Sequence, residues 1–179
     1  MSAPSSHRIP TRIAPGRWLT PVHGGIAPTS QTFAVAGRVM LCQIVVPTAC
    51  AVDGLSYPVG SAANGSVIGG LIGPVAVTAD SAAGAPVVAQ SASTLQSAAG
   101  STNAQFLSWT AVWITPGIYY GALEGSDITG TFCRQSNQAQ ALGLVQYYDR
   151  GSFGALTATT PAVTDTGSNA PGMRLRIAA

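Results

Sequence analysis

The chain is a succession of short apolar runs cut by Gly, Pro, Asn and Asp. Residues 38–46 (RVMLCQIVV) are rich in β-branched and long apolar side chains. Pro47 ends that run, because it has no N–H to continue a ladder. The next run, 48–57 (TACAVDGLSY), is broken by Asp53-Gly54. Asn64-Gly65 is a hairpin signal, since a type I′ turn needs φ > 0 at both central positions. Strands are expected at 66–72 and 75–79, and the glycines of 65–73 (GSVIGGLIG) would admit a bulge or a large neighbour. Residues 80–104 are mostly Ala, Ser, Gly and Thr and read mainly as a loop. A short strand at 86–90 fits within it, and a short helix near 92–99 is the weaker alternative.

The densest apolar stretch is 105–124 (QFLSWTAVWITPGIYYGALE), with Trp109, Trp113, Tyr119 and Tyr120. On 106–114, Phe106, Thr110, Val112 and Ile114 alternate with Leu107, Trp109, Ala111 and Trp113. Both faces are apolar, so this strand is expected to be central and covered on both sides. Pro116-Gly117 suits the middle of a type II turn, giving a hairpin with a return strand at 118–124. Further strands are expected at 128–133, 142–148, 154–159 and 173–178, with a polar loop at 134–141. In the last strand Met173, Leu175 and Ile177 alternate with Arg174 and Arg176, so one face is buried and one wet.

Eight to ten short strands without an amphipathic helix make the chain all-β, and the leading architecture is a two-sheet β-sandwich of jelly-roll type. Residues 1–32 differ. Five prolines recur there at intervals of five to seven (Pro4, Pro10, Pro15, Pro21, Pro28), which excludes helix and central strand. The segment is expected to be an extended N-terminal arm preceding a sandwich domain over 33–179. Its apolar anchors are Ile9, Ile13, Trp18, Leu19, Val22 and Ile26. They favour docking on a neighbouring subunit, with the arm's own domain as the alternative surface.

Composition sharpens the picture. Charged residues are 8% of the chain, against about 25% in ordinary soluble domains. All eight basic residues are arginine, and the net charge is +2. A surface so poor in charge is weakly defended against association. It suits a subunit covered by partners, although a compositional bias toward Ala, Gly, Pro and Arg would look the same. No basic stripe with interleaved aromatics marks a nucleic-acid partner. No run approaches the roughly 18–20 apolar residues of a membrane span. The N-terminal basic residues have no apolar run behind them, so no signal peptide is read, and assembly in a cytoplasm is expected. Three cysteines without metal spacing (Cys42, Cys50, Cys133) are expected to be buried free thiols.

Candidate chemistry is sparse. Glu124 and Asp127 flank one turn and are read first as solvated carboxylates facing water. The alternatives are a calcium site at that turn, or the one pair that could speak for a hydrolase. The two histidines, His7 and His23, both lie in the arm, beside no nucleophile motif. A phosphate loop at 65–73 would need a lysine, and the chain has none. Neither a catalytic site, nor a metal, nor a cofactor is therefore assigned. Tyr147, Tyr148 and Phe153, around the turn Asp149-Arg150-Gly151, are the candidate surface-recognition residues for a host-surface glycan, although core packing or a subunit contact is the more common fate of such residues.

Several of these signals occur in a familiar order. Val46-Pro47 closes one strand, Val52-Asp53-Gly54-Leu55 opens the next, and Thr115-Pro116-Gly117-Ile118-Tyr119-Tyr120-Gly121-Ala122-Leu123 comes later. Over residues 33–135 this resembles the single jelly-roll modules in virion proteins of tailed bacteriophages, of tail-fibre, minor-tail and decoration type. It departs from them at Gly70-Leu71-Ile72, where a "GIY" run is frequent. The resemblance implies a structural virion protein, a minor tail or tail-fibre component held by its arm to other tail or capsid subunits. It also implies a homo-oligomer, a trimer by preference. A capsid decoration protein is the first alternative and a small cell-wall or polysaccharide hydrolase the second.

Overall fold

The computed structural model describes residues 16–20, 26–76, 81–97, 104–135, 145–165 and 171–179. Among them the apolar runs become thirteen strands and no helix. These are β1 (Trp18–Leu19), β2 (Ile26–Thr32), β3 (Arg38–Val46), β4 (Cys50–Pro58), β5 (Ser66–Val75), β6 (Val87–Gln90) and β7 (Thr94–Leu95). They continue with β8 (Ala104–Ile114), β9 (Gly117–Gly125), β10 (Thr131–Gln135), β11 (Val145–Asp149), β12 (Thr164–Asp165) and β13 (Arg174–Ile177).

Every strand pairing is antiparallel. One sheet has four strands in the order β1-β13-β4-β8. A larger one runs β12-β11-β3-β9-β5-β6, with β7 also on β5. A separate ribbon joins β10 to β2. Eight strands pair in nested fashion: β1 with β13, β3 with β9, β4 with β8, β5 with β6. Successive pairs alternate between the two sheets.

The sheets face each other across a shared core. Val52, Leu55, Tyr57, Leu107, Leu175 and Ile177 come from the four-stranded sheet; Ile44, Val46, Leu71, Tyr119 and Leu123 come from the larger one. A second apolar cluster lies on the far face of the larger sheet. Val39, Leu41, Ile68, Ile72, Tyr120, Ala122 and Tyr148 are covered there by Ala82, Ala85 and Leu156. The covering segments are stitched to the sheet and to each other by backbone bonds, among them Gly73 N to Pro86 O, Val87 N to Ala158 O and Thr160 N to Ala85 O. Gly69 and Gly70 serve the two clusters in turn. A Cβ at Gly69 would press on Leu107, and one at Gly70 would run into Leu156. The expected room for large neighbours is therefore present on both faces of β5.

Several expectations are corrected. β8 and β9 do not form a hairpin: β8 pairs with β4 and β9 with β3 and β5, so Thr115-Pro116 crosses between sheets. Gly117 is the first residue of β9, not a left-handed turn residue. Asn64-Gly65 is likewise a corner. Gly65 has φ +72°, but β4 and β5 lie in different sheets. β8 is not central; it ends the four-stranded sheet. Its apparently two-sided pattern comes from a bulge, with Val52 opposite Val112 and Gly54 opposite Ser108. Between those pairs one residue of β4 faces three of β8, and the bulge exchanges the buried parity. Leu107 points inward before it and Ile114 after it. The doubly covered strands are β3, β5 and β9. Residues 154–159 contain no strand, although Thr159 bridges Pro86. β5 extends to Val75, with a register shift against β9 between Ile72 and Val75, and 77–79 of the expected strand lie outside the described residues.

The segment 1–32 is not unpaired throughout. β1 lies on β13 and β2 on β10, within the chain's own sheets. Pro28 fits in β2 because that strand belongs to a two-stranded ribbon, not to a sheet interior.

Candidate interaction surface

The outer face of the four-stranded sheet carries a cluster with one side chain from each strand. The inward positions Leu19, Val52, Leu55, Leu107, Leu175 and Ile177 turn the intervening side chains outward. Arg176 on β13 makes a fork to Asp53 on β4, with Nε to Oδ1 and Nη2 to Oδ2 both 2.8 Å. That bonding raises the guanidinium's pKa above its usual value. The same guanidinium lies 3.8 Å from the ring centroid of Phe106 on β8. Trp18 on β1 meets Phe106 edge-on, with centroids 6.0 Å apart at 81°. Gly54 is required beneath this stack, because a Cβ there would run into the Phe106 ring.

Further along β8 the face stays apolar. Trp113 is 71% exposed, and Trp18 is 40% exposed. Trp109, by contrast, folds partly onto the inner core and donates Nε1–H to Val52 O at 3.2 Å. Such a face combines aromatic surface, a neutralised arginine and the backbone of an edge strand.

The candidate recognition aromatics do not form a platform. Tyr147 and Tyr148 are consecutive on β11 and turn to opposite faces. Tyr148 is buried in the outer cluster, and burial pushes its phenol up to about 12. Phe153 packs against that same cluster. Tyr147 is half-buried and capped by Arg38, whose Cζ lies 4.2 Å from the ring centroid. Arg38 also makes a fork to Asp149 at 2.7 and 2.8 Å, which holds that carboxyl below its usual range. The expected surface role of Tyr148 is corrected: its face of β11 is roofed by the loop after it.

Of the expected anchors, Leu19 is buried in the shared core and Trp18 joins the outer cluster. Ile26 lies in β2, and nothing is described of its side chain. Ile9, Ile13 and Val22 lie outside the described residues, as do His7 and His23.

Glu124 and Asp127 are not a pair. Glu124 is fully buried and takes Arg150 Nη1 at 3.1 Å, while Arg150 also donates to Gly154 O at 2.7 Å. Burial pushes the Glu124 carboxyl up, with Arg150 pulling against it. Asp127 is half-buried and caps its own turn, accepting from Thr129 N and Oγ1 at 2.7 and 2.6 Å. Those bonds hold it below the usual range. Among the described residues no three His, Cys, Asp or Glu side chains gather into a metal site. All three cysteines are buried free thiols, and burial pushes Cys50 and Cys133 up. A depression of about 270 Å³ between Pro74 and Pro86 has no titratable side chain in its lining.

Sequence reasoning missed the buried glutamines. Gln105 accepts from Tyr57 Oη at 2.8 Å and donates to Leu95 O at 2.8 Å. Gln96 donates to Thr131 O at 2.7 Å, and Gln146 accepts from Ala82 N at 2.8 Å. In a chain so poor in charge these amides fasten loops to strands. Only their position amid apolar residues could have signalled it. The Arg176 cluster had a clearer signal in the alternation of 173–178.

No protein-family model, curated protein or solved structure matches the chain.

Proposed function

We propose that the chain is a non-catalytic structural subunit of a bacteriophage virion, a minor tail or tail-fibre component built on a jelly roll. One observation carries the reading: the nested order of strand pairs, first with last, inward to the middle. A long antiparallel hairpin rolled up so that successive pairs fall in alternate sheets is a jelly roll. That is the module the Val46–Leu55 and Thr115–Leu123 motifs resemble. The exposed aromatic face of the four-stranded sheet supports an assembling subunit, since contiguous apolar surface marks contact with a partner. The hydrolase alternative draws no support from Glu124 and Asp127, because each carboxylate already has another partner.

The test is localisation. An epitope tag on the exposed C-terminal residue Ala179, followed by electron microscopy of labelled particles, should mark the tail. Labelling of the head would replace this reading with the decoration protein. Purified particles that lack the chain altogether would overturn the virion assignment.

A further inference from the structure

We propose that residues 3–13 of one copy add as an extended strand to the free edge of β8 in a second copy. The inference takes its setting from the assembly reading above, but its test needs only purified protein. Failure here would leave the particle location open.

The receiving edge is unusual. β8 is eleven residues long, is bound to β4 on one side, and has no strand on its other side among the described residues. Proteins blunt such edges with lysine, proline or inward charges, because unpaired N–H and C=O groups recruit other strands. β8 has no charged residue and no proline. Ala104, Ser108, Thr110, Ala111 and Trp113 are all exposed along it. Its bulge interrupts the strand but leaves 104–108 regularly paired on β4, with the start of the strand tied through Gln105 to Leu95 and Ser97. The other strands that end a sheet are shorter: β1 and β12 have two residues, β10 has five, β2 has seven with Pro28 in it, and β6 has four, with Val87 already donating to Ala158 O.

The inserting segment has a matching grammar. In an extended strand, residues of one parity present both N–H and C=O to one side. Pro4 and Pro10 are both even, so both missing donors fall on the same side. The odd residues Ala3, Ser5, His7, Ile9, Thr11 and Ile13 leave an unbroken pairing edge. The same alternation sets Ile9 and Ile13 on one face and Arg8 and Arg12 on the other. A segment with both prolines on one parity resists helix and tight turns but keeps one complete edge.

Reach selects a second copy. Fifteen residues precede Gly16, which extend to about 50 Å. Gly16 is tied to Ile177 O at 3.0 Å, at the opposite edge of the sheet from β8. To lie on the outer edge of its own β8 the segment would cross four strand spacings, about 19 Å, and then reverse. That crossing would use Pro10 to Pro15, removing Thr11 and Ile13 from the pairing edge. In a neighbour the whole of 3–13 is available.

The parity makes the test sharp. The full-length chain should self-associate in sedimentation equilibrium. Ile9→Pro and His7→Pro each remove a donor from the pairing edge and should weaken association about tenfold or more. Arg8→Pro removes one from the opposite edge and should leave association within about twofold of the parent chain. Ser108→Lys, which puts a charge on the receiving edge, should weaken it as the odd prolines do. Equal effects of odd and even prolines would overturn the proposal. So would a parent chain that stays monomeric at every concentration, the result expected if the segment binds its own β8 or none.

Discussion

The two facing sheets solve the same problem differently. The larger sheet is covered on both sides, so β3, β5 and β9 bury nearly every side chain along much of their length. The four-stranded sheet buries one face and leaves the other to aromatic and arginine side chains. The difference lies in the loops between strands. Loops 81–86 and 150–163 roof the larger sheet, with Ala82 and Ala85 from the first and Phe153, Leu156 and Val163 from the second. No described loop does so for the outer face of the smaller one. A sheet face left open in a chain with 8% charged residues is protected by stacking and by one forked ion pair, not by a field of charges.

The largest effects should come from breaking the covered sheet. Arg150→Ala would leave the fully buried Glu124 without its partner, at a cost of about 3–5 kcal/mol in guanidinium unfolding. Leu123→Ala, at the centre of β9, should cost about 2–5 kcal/mol. If either cost less than about 1 kcal/mol, the larger sheet would not be the stability-determining half.

Intermediate effects belong to the cluster on the open face. Phe106→Ala removes an edge-on ring contact and the surface under Arg176 together. A loss of about 1–2 kcal/mol is expected, from an aromatic pair plus a partly exposed cation–π contact. Trp113→Ala, on the same strand but 71% exposed, should change stability by no more than about 0.5 kcal/mol. The two substitutions separate packing within the face from surface left for a partner. A large loss at Trp113 in the monomer would mean the open face is covered after all.

The same contrast explains what was legible in the sequence. Runs with simple alternation or unbroken apolarity, 38–46 and 173–178, became β3 and β13 nearly as expected. Corners defeated the reading, because Asn64-Gly65 and Pro116-Gly117 look alike whether a chain returns beside itself or crosses to the other sheet. A turn signal is local, whereas the choice of sheet depends on residues tens of positions away. β8 misled for a different reason: a bulge exchanges parity, and exchanged parity imitates double burial. The roof over Tyr148 was invisible because its apolar members, Ala82, Ala85, Phe153 and Leu156, are scattered singly among Gly, Ser, Thr and Pro and carry no period. Glu124, a charge inside an apolar strand, was a usable signal for a buried pair, but its partner lies 26 residues away at Arg150.

The smallest effect is also the one with opposite signs in the two environments. Glu124 lies in the covered sheet, and burial raises its pKa from an ordinary 4.5. The folded state therefore holds that proton more tightly than the unfolded chain. Its contribution is fully present below the unfolded value and is lost as pH rises through the raised one. Asp149 lies at the sheet margin beside Arg38, and its pKa is lowered from 3.8, chiefly by the hydrogen bond. Its contribution is present above the unfolded value and lost as pH falls through the lowered one. With nearly half of its side chain exposed, that pair should be worth under about 1 kcal/mol. Melting temperature from pH 7 downward should first rise, as Glu124 takes its proton, and then fall, as Asp149 and Asp127 take theirs. Glu124→Gln should remove the rise and keep the fall; Asp149→Asn should soften the fall and keep the rise. A Glu124→Gln profile identical to that of the parent chain would mean that Arg150 fully offsets the burial of Glu124, and that the covered sheet holds its charge without strain.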